Sequence, residues 1–564
     1  MTKSYCHRGG ETPLLGATIP EHFAAIAERY SDREAVVSLP QQQRLTYREL
    51  GEQVDLVARG LLAFGYSRGN RIGIWSTNNV EWILLQLATA RIGAILVNIN
   101  PAYRIHELEF ALQQSQVQCL VCIPAFRKSD YVEMLVELLP ELQQSSAIID
   151  SKRLPNLKRV ILFDPLMPLR KAPSAGFSRW SDLLTAAGDV STKQLEQAGA
   201  ALDIDDPINI QYTSGTTGFP KAVELTHHNI LNNAWFSAQA MRFSEQDRLC
   251  IPVPFYHCFG MVLANLLCFS VGACAVIACE HFDAGLVLQA IEQERCSGLH
   301  GVPTMFIAEL DHADFPRHRL DSLRTGIMAG APCPPELLRR VMQDLHCQEI
   351  LIGYGETEAS PLTHLTAIDD SPYCRTHTVG RNLPHQEVKI VDISTGKTVA
   401  IGEAGEICFR GYHIMRGYHD NEPATREAID DRGWLHSGDV GVMDGEGYVS
   451  ITGRLKEMII RGGENIYPRE IEDLLYTHPK VAAAAVFGVP DDYYGEEVAA
   501  WLQLREGQCC DENEIRSFCE GQLSHFKIPR YIRFVDGFPM TVTGKMQKYK
   551  MREMMQQELA GKSD

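Results

Sequence analysis

Runs of consecutive apolar residues recur along the first two thirds of this 564-residue chain, among them CLVCI, RVILF, RLCIPV, CAVIAC, TGIMAGA and EILIGY. A strand that is buried on both faces has this appearance, because neither face needs polar residues. From residue 45 onward, such runs alternate with segments of helical apolar spacing; LTYRELGEQVDLVARGLLAFG precedes RIGIWS, and WILLQLATARIG precedes AILVNIN. This alternation predicts a doubly wound α/β architecture over most of residues 45–360.

The texture of the sequence changes after residue 380. Gly-punctuated β segments follow, such as EVKIVD, GEICFRG and VGVMDGEGYVSITG, and these predict antiparallel strands in a separate β subdomain. Beyond Arg454, the helical segments REIEDLLYTHP and ENEIRSFCEGQL alternate with the strand-like VAAAAVFGV and EVAAWLQL, which predicts a small α+β domain. A chain of this length has room for about three to five domain-sized units.

Charge and hydropathy exclude several classes of function. The formal net charge of −18 offers no general attraction for nucleic acid or for an anionic membrane surface. The most apolar stretch, residues 261–279, is interrupted by Asn265, Ser270 and Gly272, so we expect a buried helix followed by a strand and no transmembrane segment. The opening MTKSYCHRGGETPLLG has neither an apolar signal core nor an Arg-rich amphipathic pattern, which favours a cytoplasmic location.

The 16 cysteines are scattered along the chain. The closest pairs are Cys119/Cys122 and Cys509/Cys510, and neither has a second pair at zinc-finger spacing. We therefore expect reduced thiols in the protein core.

The strongest local signal for chemistry is TSGTTGFPK at residues 213–221, directly after the strand-like INIQY. Small residues let backbone N–H groups approach an anion, hydroxyls add donors, and the lysine adds a positive charge. The run is not a Walker A loop, because Lys221 follows proline and precedes alanine. It predicts a polyphosphate cradle formed by Thr213, Ser214, Gly215, Thr216, Thr217, Gly218 and Lys221.

These residues carry a family resemblance. YTSGTTGFPKAVELTHHN resembles the phosphate-loop signature of the adenylate-forming (AMP-binding) acyl-CoA synthetase superfamily, and four further motifs follow in the family's order: GYGETE, WLHSGD, GRLKE and RGGENIYP, with TGK near the end. The runs QLATARIGAILVNINPAY, MIIRGGENIYPREIEDLL and SHFKIPRYI are most similar to the medium-chain fatty acyl-CoA synthetase branch. Two departures are mild: Glu356 stands where methionine is common, and Ser437 where threonine is common.

The resemblance implies both a fold and a reaction. The fold would be a large N-terminal domain of residues 1–455, with two doubly wound α/β subdomains and a β-barrel, followed by a mobile α+β lid of residues 456–564. The reaction would join a medium- to long-chain fatty acid to coenzyme A, through an acyl-AMP intermediate made from ATP with Mg²⁺. The small domain would rotate about Lys456 between the two half-reactions.

Site residues are carried over position by position. Lys545 resembles the family's catalytic lysine, which stabilises charge in the adenylation transition state. Thr357 would donate to the α-phosphate, and Glu358 would supply a hard oxygen ligand for Mg²⁺. His257 would line the acyl pocket and the approach of the thiol. The resemblance also implies residues that bind the nucleotide: Gly330, Ala331 and Pro332 would lie beside adenine, Tyr354 would stack on it, and Asp439 and Arg454 would bind the ribose. In the second conformation, the implied binding residues are Lys456, Arg461, Gly462, Gly463 and Glu464.

Two other functions stay open at this stage. One is a stand-alone adenylation enzyme that loads a carrier protein or activates an aryl or other acid, although PFYHCFG lacks the aspartate that amino-acid-activating relatives use to hold an ammonium group. The other is a non-catalytic acyl-nucleotide sensor, which is disfavoured because the chemistry-bearing residues are all present. The sequence leaves the oligomeric state open, with a homodimer as one of the options.

Overall fold

The computed structural model of the protein describes residues 2–144, 148–167, 173–213, 220–462, 464–491, 493–540 and 546–560. Its contacts divide the chain into two compact units. The larger unit comprises His7–Glu387 and Phe409–Leu435, and the smaller unit comprises Met1–Cys6, Val388–Cys408 and His436–Asp564. The domain boundary between residues 455 and 456 stays a prediction.

One sheet of the larger unit has eight strands within the described residues. The first six strands in spatial order run parallel, and the last two are antiparallel additions at one edge. Helical segments connect most of the parallel strands that follow one another along the chain, whereas the described residues between Arg159–Leu162 and Phe177–Arg179 contain no helix. The strands in spatial order are Phe177–Arg179, Arg159–Leu162, Cys119–Cys122, Arg71–Trp75, Ile95–Ile99, Pro207–Thr213, Lys221–Thr226 and Gly417–Tyr418.

The second sheet of the larger unit has nine strands in the described part of the chain. Its six central strands are parallel, and antiparallel strands close both edges. In spatial order they are Arg381–Asn382, Leu362–Leu365, Glu349–Gly355, Thr325–Ala329, Gly298–Leu299, Arg248–Cys250, Cys274–Ile277, Glu34–Ser38 and Gln43–Thr46. A short hairpin pairs Ala125–Phe126 with Ser129–Asp130.

Helices alternate with these strands and confirm the predicted α/β class. Residues 261–279 form a buried π-helical turn, a short helix and then a strand, also as predicted. The α-helices of the larger unit are Ile19–Arg29, Tyr47–Ala63, Val80–Ile92, Ile105–Gln114, Tyr131–Leu138, Trp180–Ala186, Thr192–Gly199, His227–Ala240, Cys258–Gly260, Leu267–Val271, Ala284–Glu294, Pro303–Leu310, Pro335–Gln343, Pro372–His377 and Glu422–Ala428. Its short 3₁₀ and π turns are Pro140–Gln143, Ala187–Asp189, Met261–Leu266, Phe315–Arg317 and Thr357–Ala359.

The smaller unit is built around two sheets. A five-stranded sheet, where the sequence predicted the β subdomain, has the order Tyr5–Arg8, Gln386–Val391, Ala404–Gly411, Leu435–Met443 and Val449–Arg454. The other contains, in order, Glu464–Ile466, Ile459–Arg461, Gly495–Leu504 and Val481–Asp491, with Tyr531–Phe534 parallel to Gly495–Leu504. The helices are Pro468–Tyr476, Glu512–Cys519 and Lys548–Ala560, with short turns at Leu455–Glu457 and His525–Lys527. The second sheet and these helices form the α+β fold predicted for the residues beyond Arg454.

The cysteines are free thiols, as expected, but they are not all in the core. Cys509 is exposed, and Cys333, Cys374 and Cys510 are only partly buried. Cys509 and Cys510 lie in the connection before the helix Glu512–Cys519, where Cys510 packs against the edge of a hydrophobic cluster and Cys509 faces solvent. The prediction of core burial is wrong for these four residues.

Gly326 marks a very close approach between two strands of the nine-stranded sheet, and a substitution there tests the packing of the sheet. Gly326 lies in the central strand Thr325–Ala329, and a Cβ atom there would stand 1.8 Å from the carbonyl oxygen of Leu299 on the neighbouring strand. We expect Gly326→Ala to lower the free energy of unfolding by about 3 kcal/mol, because the strands would have to separate. Urea unfolding measures this change. Gly188→Ala, where a Cβ meets nothing within 4 Å, is the control; equal urea midpoints for the two variants would contradict the packing described.

Candidate functional site

The carboxyl edge of the nine-stranded sheet collects half of the predicted site residues of the larger unit. His257 follows the strand Arg248–Cys250, Gly330 follows Thr325–Ala329, and Thr357 follows Glu349–Gly355. These strands are parallel, so their carboxyl ends open on the same edge, where ligands of open α/β sheets bind. The topology therefore brings together residues that are up to 100 positions apart in sequence.

Glu358 and Lys221 are linked through a residue that the sequence did not single out. The hydroxyl of Tyr418 donates to Oε1 of Glu358 at 2.8 Å, and Nζ of Lys221 stands 4.5 Å from the centre of the Tyr418 ring. Burial and the Glu358 carboxylate raise the pKa of Tyr418, so the phenol keeps its proton and donates it to this hydrogen bond. Tyr418 reaches the site because its short strand pairs with Lys221–Thr226. The Tyr418 phenol thus lies between the lysine and the carboxylate, beside the hairpin that carries the predicted phosphate loop.

The predicted phosphate loop is described only at its ends. Thr213 and Lys221 are register partners where the strands Pro207–Thr213 and Lys221–Thr226 meet, so the hairpin returns the chain to where it left the sheet. The residues between them, and two others of the predicted site, lie outside the described residues: Ser214, Gly215, Thr216, Thr217, Gly218, Gly463 and Lys545.

Thr357 and His257 are brought together by a cysteine. Thr357 is 8% exposed, and its Oγ1 lies 3.6 Å from Sγ of Cys258. His257 caps the short helix that begins at Cys258, and its Nδ1 accepts from the backbone N–H of Phe259 at 3.2 Å. Because Nδ1 is the acceptor, the neutral ring carries its proton on Nε2. Cys258 was read from the sequence as an ordinary core thiol, and no local pattern marks its contact with Thr357.

Tyr354 and Gly330 occupy neighbouring strand ends. The half-buried Tyr354 ring lies 5.9 Å from the ring of His364 and 6.1 Å from that of Phe409. Gly330 has φ +87°, a conformation that favours glycine, and begins the partly exposed turn through Ala331 and Pro332. The partly exposed turn follows the strand Thr325–Ala329, and the neighbouring strand Glu349–Gly355 carries Tyr354.

The smaller unit holds the predicted ribose residues as a direct pair. Nε of Arg454 donates to Oδ1 of Asp439 at 2.8 Å, across the antiparallel register of the strands Leu435–Met443 and Val449–Arg454. The Asp439 side chain is 6% exposed and that of Arg454 58%, so a buried carboxylate is held by a solvent-facing guanidinium. Lys456, in the turn Leu455–Glu457, is exposed.

Arg461 and Gly462 begin a tight hairpin whose return strand starts at Glu464. Nε and Nη2 of Arg461 pair with the two oxygens of Glu497, and its guanidinium lies 3.9 Å from the centre of the Tyr494 ring. The hydrogen bond to Glu497 raises the pKa of Arg461. Gly462 has φ +57°, and its N–H donates to the carbonyl of Tyr494. Glu464 is exposed. The sequence did not indicate Glu497 or Tyr494 as partners, since they lie more than 30 positions away.

Buried histidines surround the carboxyl edge of the nine-stranded sheet. Nε2 of His300 lies 2.8 Å from the carbonyl of Leu263, and Nδ1 accepts from Ile327 N–H at 3.0 Å. Burial lowers the pKa of His300 to about 4, and those of His364 and His413 to about 3. In the folded protein these imidazoles are therefore neutral at physiological pH.

These histidines predict the pH dependence of stability. Their folded pKa values lie below the unfolded value of about 6.5, so the unfolded state binds protons first as the pH falls. We expect the free energy of unfolding to fall by about 1 kcal/mol per buried histidine between pH 7 and pH 5.5. Urea unfolding across this range measures the slope. His413→Leu should make it shallower by one such contribution, and an unchanged slope in this variant would contradict the assignment.

Comparisons with known proteins show the family of this chain. Residues 23–419 match the family model described as AMP-binding enzyme, and residues 470–545 match that of the AMP-binding enzyme C-terminal domain. YngI of Bacillus subtilis (strain 168), whose name provisionally describes an acyl-CoA synthetase, is 48% identical over 96% of this chain and 97% of its own. The mitochondrial medium-chain acyl-CoA ligase ACSF2 of Danio rerio is 44% identical over 99% of this chain and 92% of its own.

Solved structures share the fold. The crystal structure of ATP-bound MatB from Rhodopseudomonas palustris aligns with a TM-score of 0.81 at 28% identity, covering 96% of this chain and 99% of that one. The anthranilate CoA ligase AuaEII, in complex with anthranoyl-AMP, aligns with a TM-score of 0.83 at 24% identity, which bears on the fold alone. None of the helices in the described ranges is both long and apolar enough to cross a membrane.

Proposed function

Because the chain belongs to the AMP-binding enzyme family, as an acyl-CoA synthetase, we propose that it joins medium- to long-chain fatty acids to coenzyme A in an ATP- and Mg²⁺-dependent reaction. The carboxylate would attack the α-phosphorus of ATP to give acyl-AMP and pyrophosphate. The thiol of coenzyme A would then attack the acyl carbonyl, releasing AMP. The observation that carries the proposal is the contact of Tyr418, on the eight-stranded sheet, with Lys221 and with Glu358, which follows a strand of the nine-stranded sheet.

The residues of this contact fit a magnesium polyphosphate. Oε1 of Glu358 accepts from Tyr418, and a carboxylate has a second oxygen with which to bind a hard cation. Mg²⁺ bound there would neutralise phosphate charge. Lys221 lies on the same hairpin as the predicted phosphate loop and would add a fixed positive charge to the phosphates. Thr357, next to Glu358 in sequence, would donate its hydroxyl to the α-phosphate.

The remaining residues would hold the nucleotide and the acyl group. Tyr354 would stack on adenine beside the turn at Gly330, and Asp439 would accept from the ribose hydroxyls with Arg454 as its partner. Lys545 would neutralise charge on the attacking carboxylate and the α-phosphate. His257 would lie along the acyl pocket, with its neutral ring oriented by the Phe259 N–H.

The segments that the family resemblance assigns to the acyl pocket support this substrate class. Phe255, Cys258 and Phe259 are buried, and the helix Pro303–Leu310 presents the buried Met305 and Phe306. Its one buried acidic residue, Glu309, is 1% exposed, and burial raises the pKa of its carboxyl well above the ordinary value, which keeps it uncharged. An uncharged aliphatic chain suits this wall, whereas an ammonium or a second carboxylate would need a charged partner.

A substrate panel tests the proposal. We expect the highest kcat/KM for unbranched monoacids of about C6 to C16, and values at least about 100-fold lower for amino acids and dicarboxylates, because their second charge would be desolvated. Pyrophosphate release is measured across C2 to C18 and aryl acids, with and without coenzyme A. A higher kcat/KM for an aryl acid would favour that alternative, and thioester formation on a holo carrier protein but not on coenzyme A would favour the carrier-loading alternative.

Location and assembly remain predictions. We retain the prediction of a cytoplasmic location, which cell fractionation tests. Whether the chain forms a homodimer is tested by light scattering of the full chain. The curated ACSF2 relatives carry the word mitochondrial in their own names.

A further inference from the structure

Three side chains of metal-binding type converge in the smaller unit, outside the residues predicted to contact substrate. Glu406 and Cys408 lie on the strand Ala404–Gly411, and His436 lies on its neighbour Leu435–Met443. Nδ1 of His436 is 2.7 Å from Oε2 of Glu406 and 3.5 Å from Sγ of Cys408. The three possible ligand atoms all lie within 4.8 Å of one another.

The donor set and its spacing match a particular class of cation. Zn²⁺ binds thiolate, imidazole and carboxylate at about 2.0–2.3 Å, so ligand atoms around a tetrahedral ion stand about 3.3–3.8 Å apart. The sulfur–nitrogen distance already falls in that range, and the oxygen–nitrogen distance would need to widen by only about 0.6 Å. A thiolate ligand disfavours Mg²⁺ and Ca²⁺.

Burial leaves one side of the cluster open. Cys408 is fully buried, the Glu406 side chain is 13% exposed, and the His436 side chain is 30% exposed. A cation could therefore enter past the imidazole and keep a water molecule as its fourth ligand.

We propose that Glu406, Cys408 and His436 form a binding site for a thiophilic divalent cation of the Zn²⁺ type. On binding, the Cys408 thiol releases its proton to solvent, and the resulting thiolate bonds the metal. The cation takes the place of the proton through which Nδ1 of His436 bonds Glu406. That proton leaves Nδ1 through solvent, and the ring binds the cation as the neutral tautomer that carries its proton on Nε2.

The same carboxylate holds the turn that leads to Asp439. Oε1 of Glu406 accepts from the N–H of Gly438 at 3.2 Å, and Oγ of Ser437 accepts from the N–H of Asp439 at 3.0 Å. A cation that draws Glu406 away from Gly438 loosens this turn. On the proposed function, where Asp439 binds the ribose, the cation is an inhibitor that raises KM for ATP.

A second cluster provides the comparison. His478, Cys510 and Glu514 also place ligand atoms within 4.8 Å of one another. However, Nζ of Lys480 lies 2.8 Å from Oε1 of Glu514, and a bound cation would be repelled by that ammonium group. In the described residues, Glu406 instead makes its ion pair with His436, one of the proposed ligands.

Cobalt binding tests the site directly. The full chain, treated with chelator and reductant, is titrated with Co²⁺ and followed by absorption spectroscopy. We expect one equivalent to produce tetrahedral d–d bands with a thiolate-to-cobalt charge-transfer band, and Zn²⁺ to displace it. Cys408→Ala should abolish the charge-transfer band, and His436→Gln should weaken binding at least about tenfold.

Cys510→Ala is the matched control and should leave the spectrum unchanged. Absence of a thiolate band in the unmodified chain overturns the proposal, as does a band that survives Cys408→Ala and disappears in Cys510→Ala. If Cys408→Ala lowers Tm too far to be assayed, His436→Gln with unaltered Co²⁺ affinity overturns it equally.

Steady-state kinetics test the inhibitory role separately. We expect Zn²⁺ to raise KM for ATP several-fold in the unmodified chain and in Cys510→Ala, but not in Cys408→Ala. Inhibition that persists in Cys408→Ala contradicts the role assigned to this site. The cobalt spectra do not depend on the reaction, so failure of the proposed function would leave the metal site standing.

Discussion

Lys545→Ala is expected to reduce acyl-AMP formation from the free acid by about 100- to 1000-fold, the range seen when one charge-stabilising donor is removed from an active site. The reason is that adenylation brings the negatively charged carboxylate against the α-phosphate, and a lysine at this point neutralises charge that is greatest in the transition state. Thioester formation from presynthesised acyl-AMP should be nearly unaffected, because the carboxylate is already joined to AMP as a mixed anhydride.

Single-turnover quench experiments separate the two half-reactions of the Lys545→Ala variant. Pyrophosphate release reports the first, and conversion of added acyl-AMP to acyl-CoA reports the second. Lys550→Ala is the matched control, since Lys550 is an exposed lysine on the following helix. Equal loss of both half-reactions in Lys545→Ala would refute its assignment to adenylation.

Glu358→Gln is the second change for which we expect a large effect. Gln keeps the shape of the side chain and can still accept from the Tyr418 hydroxyl, but it removes the negative charge. We expect kcat/KM for adenylation to fall about 100-fold, equivalent to ~2.7 kcal/mol of lost charge stabilisation, and half-maximal activity to require more Mg²⁺. Initial rates over a range of Mg²⁺ concentrations measure both effects.

Two further variants show whether the charge itself matters. Glu137→Gln changes an exposed glutamate of the same unit and should leave Mg²⁺ dependence unchanged. Tyr418→Phe keeps the ring beside Lys221 but removes the hydroxyl that orients Glu358, and should cost about tenfold while preserving the normal Mg²⁺ requirement. A Glu358→Gln enzyme with an unaltered Mg²⁺ requirement would exclude Glu358 as the metal ligand.

Local patterns were enough to predict the strands of the α/β part. CLVCI and EILIGY lie in the strands Cys119–Cys122 and Glu349–Gly355. A strand that is buried on both faces is apolar at consecutive positions, so a short run of residues is enough to indicate it. Glycine punctuation likewise predicted the hairpin that carries Asp439 and Arg454. Motif chemistry identified which residue types could handle phosphate, and the family resemblance assigned their roles.

Partners across the fold could not be predicted in the same way. Tyr418 is 60 positions from Glu358 and reaches it only through strand pairing, and Glu497 is 36 positions from Arg461. The sequence predicted only that Cys408 is a core thiol. The pairing of its strand with the strand that carries His436 brings the two side chains together.

The sequence by itself determined the alternation of strands and helices, the chemical types of the site residues and the family, because each depends on short runs of neighbouring residues. Only the tertiary structure decided which carboxylate a phenol orients, which histidines are held neutral and which three side chains can share a cation. Those properties depend on distance and burial, and strand pairing sets both between residues that are remote along the chain.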